Sequence, residues 1–580
     1  MADPTSAPSL AESIDASIAS FFASHNPLTY LLLAIITGIL VYPLIVGQDP
    51  DIHPFLLARQ SSAAPIRNPK ESPVYRALDV PHGYPLRNAL GVKDIGAPKW
   101  TSGRRGDLRD VLARAVSGPL NAESTAHDAS KVGKVWTLSG KDKSTPTEMK
   151  ELMRMVKTLG SFAKDKAGAD GKVAVCLSNS VELLASIFAA AFYDYEVAII
   201  PTGLPQNQTD NLLAQTNPNI LIAEAGELDL TTALPKCGTS LKELILIAKP
   251  DSKHMDWAST PTPKGVSVTT WDDLLSSSSA TSDIPSIEKD APKPKPLSTF
   301  TSTTSGLFTL TTFTSDNLIA GTAALLTSLP RTQPLSPTDT LLPTTSISNP
   351  YTLTWILAAL YSNASIALNS VSGPNVDLFA TTASFQPTIL VTSPGTLQKY
   401  LTNYTKTGLG PSRFTKFFHR RSLRQGIMPS RKPIPDLGGG KDAVFLVMEL
   451  AALSKLRAVF VGHDTSADKA NSLTSSDLDS LRTELGVKIS YALTSGQVAG
   501  AVAQGNLHDY RDKGEKVVCV GAPAGSVEIK LVGDDDGVVG RGRGGEGFIV
   551  VNGPAVAGEK GEVQLDVKAK IDTDHTLLLL

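Results

Sequence analysis

Cysteine is scarce: Cys176, Cys237 and Cys519 are the only three in 580 residues, and no CxxC spacing relates them. That excludes a disulfide framework and a thiolate metal cluster, and the three read as reduced thiols. Charge of either sign is balanced, with 54 Lys and Arg against 56 Asp and Glu and a formal net charge of -2. A nucleic-acid binder needs a broad basic excess, so no nucleic-acid partner is expected. None of the nine histidines falls in HExxH or another metal-ligating spacing, so no metal ligands are assigned. A GxSxG nucleophile elbow is also missing.

What is present begins with one long apolar run. No Asp, Glu, Lys or Arg occurs between Asp15 and Asp49, and residues 28–47 read LTYLLLAIITGILVYPLIVG. About 20 such residues cross a bilayer core, so one transmembrane helix over 28–47 is expected, following a short acidic tail at 1–27. A cleaved signal peptide is the alternative, but it wants a basic start, and Asp3, Glu12 and Asp15 make this one acidic. Arg59, Arg67, Lys70 and Arg76 all follow the run, which puts the main body on the cytosolic side. Pro43 near the end of the run disturbs helical hydrogen bonding least there, and Tyr30 and Tyr42 suit the two interfaces. The bilayer is thus the expected partner, with the endoplasmic reticulum, the peroxisome or the mitochondrial outer membrane as candidate locations.

Residues 48–130 are rich in Pro, Arg and Asp without sustained periodicity and read as an extended arm. Beyond them, apolar runs such as VAVCLS and EVAIIPT alternate with helical patterns such as VELLASIFAAAFY. That alternation specifies an α/β fold built from βαβ units around parallel sheets. Residues 260–296, rich in Ser, Pro and Lys around VTTWDDLL, are expected as a surface loop. VEIKLV, GFIVVNG and GEVQLDV then suggest a small β-rich lobe.

Residues 300–321, FTSTTSGLFTLTTFTSDNLIAG, set a dense run of Thr, Ser and Gly before a helical pattern. Hydroxyls and backbone amides in such a loop can cradle an anion, although composition alone favours a polar surface loop. GRGRGG at 540–545 satisfies GxGxxG but lies between two expected strands, so it reads as a hairpin loop.

The order of residues in the Thr-rich run resembles the nucleotide loop of adenylate-forming (AMP-binding) enzymes, YTSGTTGxPKGVxLTHxN. Thr301, Ser302, Thr304, Gly306, Thr314 and Asn317 match, and Phe300 and Ser305 are conservative replacements. Thr303 stands at the first Gly of the pattern, Phe308 at the Pro, Thr309 at the Lys and Leu310 at the last Gly. Glycine lets backbone approach a phosphate and lysine supplies positive charge; threonine does neither well. Elsewhere LPTTSISN resembles LPLFHxxG with Ser346 at the His, and YALTS resembles YGxTE with Tyr491 and Thr494 matching, Ala492 at the Gly and Ser495 at the Glu. GEGFIVVNGPAVAG, at 545–558, is similar to GELxxxGPxVxxGY, and the ribose-binding Asp of the TGD motif falls at Val567. The N-terminal run and RFTKFFHRRSLRQGIMPSRK, at 413–432, look most like fungal-type long-chain acyl-CoA synthetases. In that segment Phe414, Phe417 and Phe418 beside Arg420, Arg421 and Arg424 suit an anionic membrane surface or, equally, a solvated basic helix.

The resemblance implies an acyl-CoA synthetase-like large domain over 131–558, with stacked βαβ lobes and a small β-rich lobe. It implies that 559–580 is the remnant of a hinge, since the family's C-terminal lid, which brings the catalytic lysine, is not complete before Leu580. Its expected activity is ATP- and Mg-dependent fatty acid-CoA ligation, impaired or lost through the substitutions at Thr303, Thr309, Leu310, Ser346, Ser495 and Val567, so no catalytic residue is assigned. Nucleotide contacts are expected at Thr301, Ser302, Thr304, Ser305, Gly306, Tyr491 and Thr494, with fatty acid or acyl-CoA as ligand. An active ligase using other residues, and a membrane scaffold or lipid-binding partner, are the alternatives.

Overall fold

The protein was examined as a computed structural model, which describes residues 16, 19–20, 27–45 and 49–580 except 66–67, 99, 122, 140–142, 169, 249–264, 286, 288–291, 304, 383–384, 408–412, 430–452, 467–471, 515–516, 534–545 and 559. The segment GRGRGG at 540–545, expected as a hairpin loop, therefore lies outside the described residues. The chain divides into two compact units, 1–51 and 52–580.

In the first unit, the apolar run forms the helix Pro27–Ile45, 19 residues long. At 1.5 Å per residue it measures about 28 Å, short of the roughly 30 Å of a bilayer core. Among the described residues no helix is long and apolar enough to cross a membrane, so the transmembrane helix expected over 28–47 is not found. Residues 46–48, the expected end of the span, lie outside the described residues. Leu31, Leu32, Ile35, Ile36 and Ile39 are each exposed on this helix.

The second unit is built on two sheets. In the smaller, the strands Lys172–Cys176, Glu196–Ile199, Ile220–Glu224, Glu243–Ile247 and Ser267–Thr270 run parallel, and the hairpin Leu297–Ser302 with Phe308–Phe313 closes one edge. Crossovers such as the helix Val181–Tyr193 make parallel order possible; Ser180 starts it by accepting from the Leu183 N–H at 3.3 Å, and Asp194 ends it in the left-handed conformation. Gly160 of the helix Met149–Ala167 lies so near the Tyr193 ring that a Cβ there would fall 2.1 Å from it. The edge strand Ser267–Thr270 and the helix Trp271–Ser277, with Trp271 buried, both come from 260–296. The expected surface loop is thus corrected: VTTWDDLL is part of the sheet, because Trp271 has apolar area enough to hold it there.

In the larger sheet a parallel core, including Thr340–Pro343, Ile389–Thr392, Ala458–Asp464 and Lys488–Thr494, passes into antiparallel strands toward the C-terminus. The arm at 48–130 is less extended than its composition suggests. Its strands Ser61–Ala63 and Tyr75–Ala77 finish one edge of this sheet, and its helix Leu108–Ser117, held by a capping box between Asp107 and Asp110, is packed in the core. Residues 559–580, expected as a hinge remnant, instead contribute the strands Glu562–Ile571 and Leu577–Leu579.

A charged cluster fastens the arm to these last strands. Arg511 pairs with Asp509 and Asp574, Lys513 pairs with Asp572 and Asp574, and Gln60 of the arm donates to Asp509 at 2.7 Å. Burial pulls the three carboxyls upward, but the hydrogen bonds from Arg511 and Lys513 outweigh it and hold each below its ordinary value. A depressed folded pKa contributes stability that is complete above the unfolded carboxylate range, near pH 4, and is lost as pH falls through the folded values. The thermal midpoint is therefore expected to fall steeply below about pH 4. In Arg511→Met that acid dependence should shrink; an unchanged profile would mean that the cluster does not couple pH to folding.

Candidate functional site

The hairpin Leu297–Ser302 and Phe308–Phe313 sets Thr301 directly opposite Thr309 and Ser302 opposite Phe308. Its turn satisfies its own polar groups. The Thr303 N–H donates to the Leu307 carbonyl at 2.7 Å, the Thr303 hydroxyl donates to the same carbonyl at 2.9 Å and lies 2.8 Å from the Ser305 hydroxyl, and Gly306 takes a φ of 75°. Glycine is the residue that accepts this left-handed conformation without strain. Thr304 lies outside the described residues. Thr314 and Asn317 cap the following helix, Ser315–Ser328, and the Asn317 amide donates to the Pro554 and Val556 carbonyls at 2.8 and 3.0 Å. Both are fixed in structural hydrogen bonds that tie the loop to the segment GPAVAG.

Two cavities open from this hairpin and share Thr301, Ser302 and Ser466. The upper, about 340 Å³, is bounded by Phe300, Pro374, Pro394, Ser346, Ser348, Asn349, Gly462 and Asp464 among others. The lower, about 250 Å³, is bounded by Thr303, Thr309, Thr465, Ser495, Gln497, Gln564 and Asp566. Strand pairing explains the convergence: Ala458–Asp464 runs parallel to Lys488–Thr494, so Asp464 is level with Thr494, and Ser495 follows at the same end of the sheet. Gly496 then meets the hairpin so closely that a Cβ there would lie 2.3 Å from the Thr301 Cβ. The nucleotide-loop hydroxyls and the YALTS segment thus share one crevice.

The expected site residues divide accordingly. Thr301, Ser302, Thr303, Thr309, Ser346 and Ser495 line the two cavities. Ser305 and Gly306 sit in the exposed turn and line neither, and Leu310 is 47% exposed on its strand. Tyr491 is corrected: its hydroxyl accepts from the Leu473 N–H at 3.1 Å in the interior, and it borders a different, smaller cavity with Arg482 and Asp509. Side chains alternate along a strand, so Tyr491 and Thr494 point to opposite faces. Thr494 itself is buried with its methyl toward Gly462 and lines neither cavity.

Val567 is corrected too. It packs against the core, while the preceding Asp566 is exposed at the lower cavity. The cause is plain alternation: along the strand Glu562–Ile571 exposed and inward-facing residues alternate without a break from Glu562 to Ala569, so Asp566 and Val567 face opposite sides. The pairing shifts here, Phe548 with Lys568 but Val550 with Gln564, yet the two extra residues leave the parity of the strand unchanged.

Asp464, in the strand Ala458–Asp464, was not assigned to the site from the sequence. Its carboxylate accepts from the Ser466 N–H and hydroxyl at 2.8 and 2.7 Å, yet burial outweighs these bonds and pushes its pKa above the ordinary value. Among the described residues, the walls of both cavities carry hydroxyls, amides and these two acids, and no Lys, Arg or His.

A sequence profile of the AMP-binding enzyme family matches residues 135–559. No curated protein matches the chain significantly. Among solved structures, the anthranilate CoA ligase AuaEII, in complex with anthranoyl-AMP, superposes with a TM-score of 0.57 at 14% identity over 82% of this chain and 77% of that one. A benzoate CoA ligase from Burkholderia xenovorans gives 0.55 at 13% identity over 82% and 79%. A structure described as a putative long-chain-fatty-acid CoA ligase from Rhodopseudomonas palustris gives 0.55 at 15% identity over 82% and 98%. These likenesses establish the fold.

Proposed function

Since this chain belongs to the AMP-binding enzyme family, we propose that it is a ligase-fold protein whose adenylation activity is impaired or lost. Enzymes of this family use ATP and magnesium, which would supply an activated adenylyl group, with pyrophosphate as its leaving group, and a neutralising cation. The observation carrying the proposal is the charge inventory: two carboxyl groups and no cationic side chain border the crevice among the described residues. A triphosphate is stabilised by fixed cations, each charge-assisted hydrogen bond contributing about 1.5–3 kcal/mol. Thr309 puts a hydroxyl at the motif's lysine and Ser495 puts one at its glutamate, and a hydroxyl is a poorer magnesium ligand than a carboxylate. The walls do not fit a magnesium-bound triphosphate, and no step of adenylation is derived through it.

The long-chain acyl reading, and attachment to an anionic membrane surface, belong to the same proposal. They are supported by the exposed apolar residues of the helix Pro27–Ile45 and by the helix Arg413–Arg424, where exposed Phe417 and Phe418 adjoin exposed Arg420, Arg421 and Arg424. The test is ATP-pyrophosphate exchange by the full-length protein with long-chain fatty acids presented in phosphatidylserine vesicles. Protein sedimenting with the vesicles but giving no exchange above the fatty-acid-free blank is expected. Robust exchange would overturn the loss of adenylation, and protein left in the supernatant would overturn the attachment.

A further inference from the structure

The crevice combines two properties that in a polyphosphate site would conflict. It is rich in neutral hydrogen-bonding groups, with Thr301, Ser302, Thr309, Ser495, Gln497 and Gln564 all on its walls, and its only ionisable lining groups among the described residues are the acids Asp464 and Asp566. Hydroxyls and carboxamides can both donate to and accept from an uncharged polyol, whereas carboxylates accept hydrogen bonds from hydroxyls and repel phosphate.

We infer that the crevice is a site for an uncharged nucleoside, and that it selects against the same nucleoside carrying phosphates. The inference rests on reading the crevice as the family's nucleotide site, and it changes the ligand class from a polyanion to a neutral molecule. Size agrees: chambers of about 340 and 250 Å³ that share Thr301, Ser302 and Ser466 give room for a base and a pentose. The upper chamber has Phe300, Pro374 and Pro394 as apolar backing for a planar heterocycle. In the lower, Asp566 and Gln564 supply acceptors for ribose hydroxyls. The hairpin turn contributes no compensating anion cradle among the described residues, because the Thr303 amide and hydroxyl are both committed to the Leu307 carbonyl.

The experiment is calorimetric titration of the full-length protein with adenosine, AMP and magnesium-ATP, repeated on Asp566→Asn. Adenosine is expected to bind at least about tenfold more tightly than magnesium-ATP, with AMP between them, and each added phosphate should weaken binding. Asp566→Asn keeps the side chain's shape and removes its charge, so it should narrow the gap chiefly by strengthening magnesium-ATP. Magnesium-ATP binding more tightly than adenosine would overturn the inference, as would binding of neither adenosine nor AMP. The exchange assay separates the two readings: absent exchange together with absent adenosine binding sinks the nucleoside inference alone, while robust exchange sinks the loss of adenylation.

Discussion

Thr309→Lys combined with Ser495→Glu should raise affinity for magnesium-ATP by about tenfold or more, since one charge-assisted contact is worth about 1.5–3 kcal/mol and each 1.4 kcal/mol is a factor of ten. Both positions border the lower cavity, and Thr309 is exposed on its strand opposite Thr301, so a lysine fits there without burying its stem. Ser495 now accepts from the Gln497 N–H at 3.3 Å; a glutamate there would offer the hard oxygen that magnesium prefers. The single variants should behave differently. Lysine alone should help ATP with or without the metal, and glutamate alone should weaken binding, because it adds a third acid to a crevice that has no cation among the described residues. Titration of the three variants against the parent decides it, with non-additivity as the signature that the two groups act on one ligand. No gain in the double variant would contradict both the placement of these residues and the electrostatic explanation.

Trp355→Ala should cost about 3–5 kcal/mol of stability, the usual range for removing a large buried aromatic. Trp355 is 0% exposed in the helix Pro350–Tyr361, with its ring centroid 4.1 Å from that of Phe460 and 6.3 Å from that of Tyr351. Phe460 belongs to the strand that carries Gly462 and Asp464 to the crevice, and a Cβ on Gly462 would lie 2.8 Å from the Tyr351 ring. The aromatic group is thus the floor beneath the upper cavity. A scanning calorimetry trace should show a lowered midpoint for the unit that contains it, and Trp355→Phe should recover most of the loss. A midpoint unchanged by the alanine would show that the cavity left behind collapses without penalty.

Much of this architecture is written locally in the chain. The run VAVC, followed by a Ser180 cap and an apolar helical pattern, becomes strand and helix because each piece has its own periodicity and start signal. The hairpin at 300–313 was legible as a Thr-rich loop before a helix, and Thr301, Ser302, Thr309, Ser346 and Ser495 do reach a common crevice. Besides Asp464, other features were not legible. Val567 was read as the replacement of the motif's Asp, but alternation along its strand turns it to the core and sets the neighbouring Asp566 at the lower cavity. Tyr491 fitted a motif by type, but strand alternation turned it into the interior, where Leu473 engages its hydroxyl. VTTWDDLL, set among Ser- and Pro-rich flanks, joined the sheet because its strand pairs with Glu243–Ile247, a partner some 20 residues away.

The central claim is electrostatic, and the sign of a salt effect tests it most directly. Binding of magnesium-ATP to the full-length protein should be measured by equilibrium dialysis at low and at physiological ionic strength, where the screening length shortens from about 30 to about 8 Å. A crevice bordered, among the described residues, by acids and no cation should bind weakly at low salt and no more weakly, or somewhat better, as salt screens the repulsion. Tight binding at low salt that falls as salt is added would reveal fixed positive charge at the phosphates and contradict the claim.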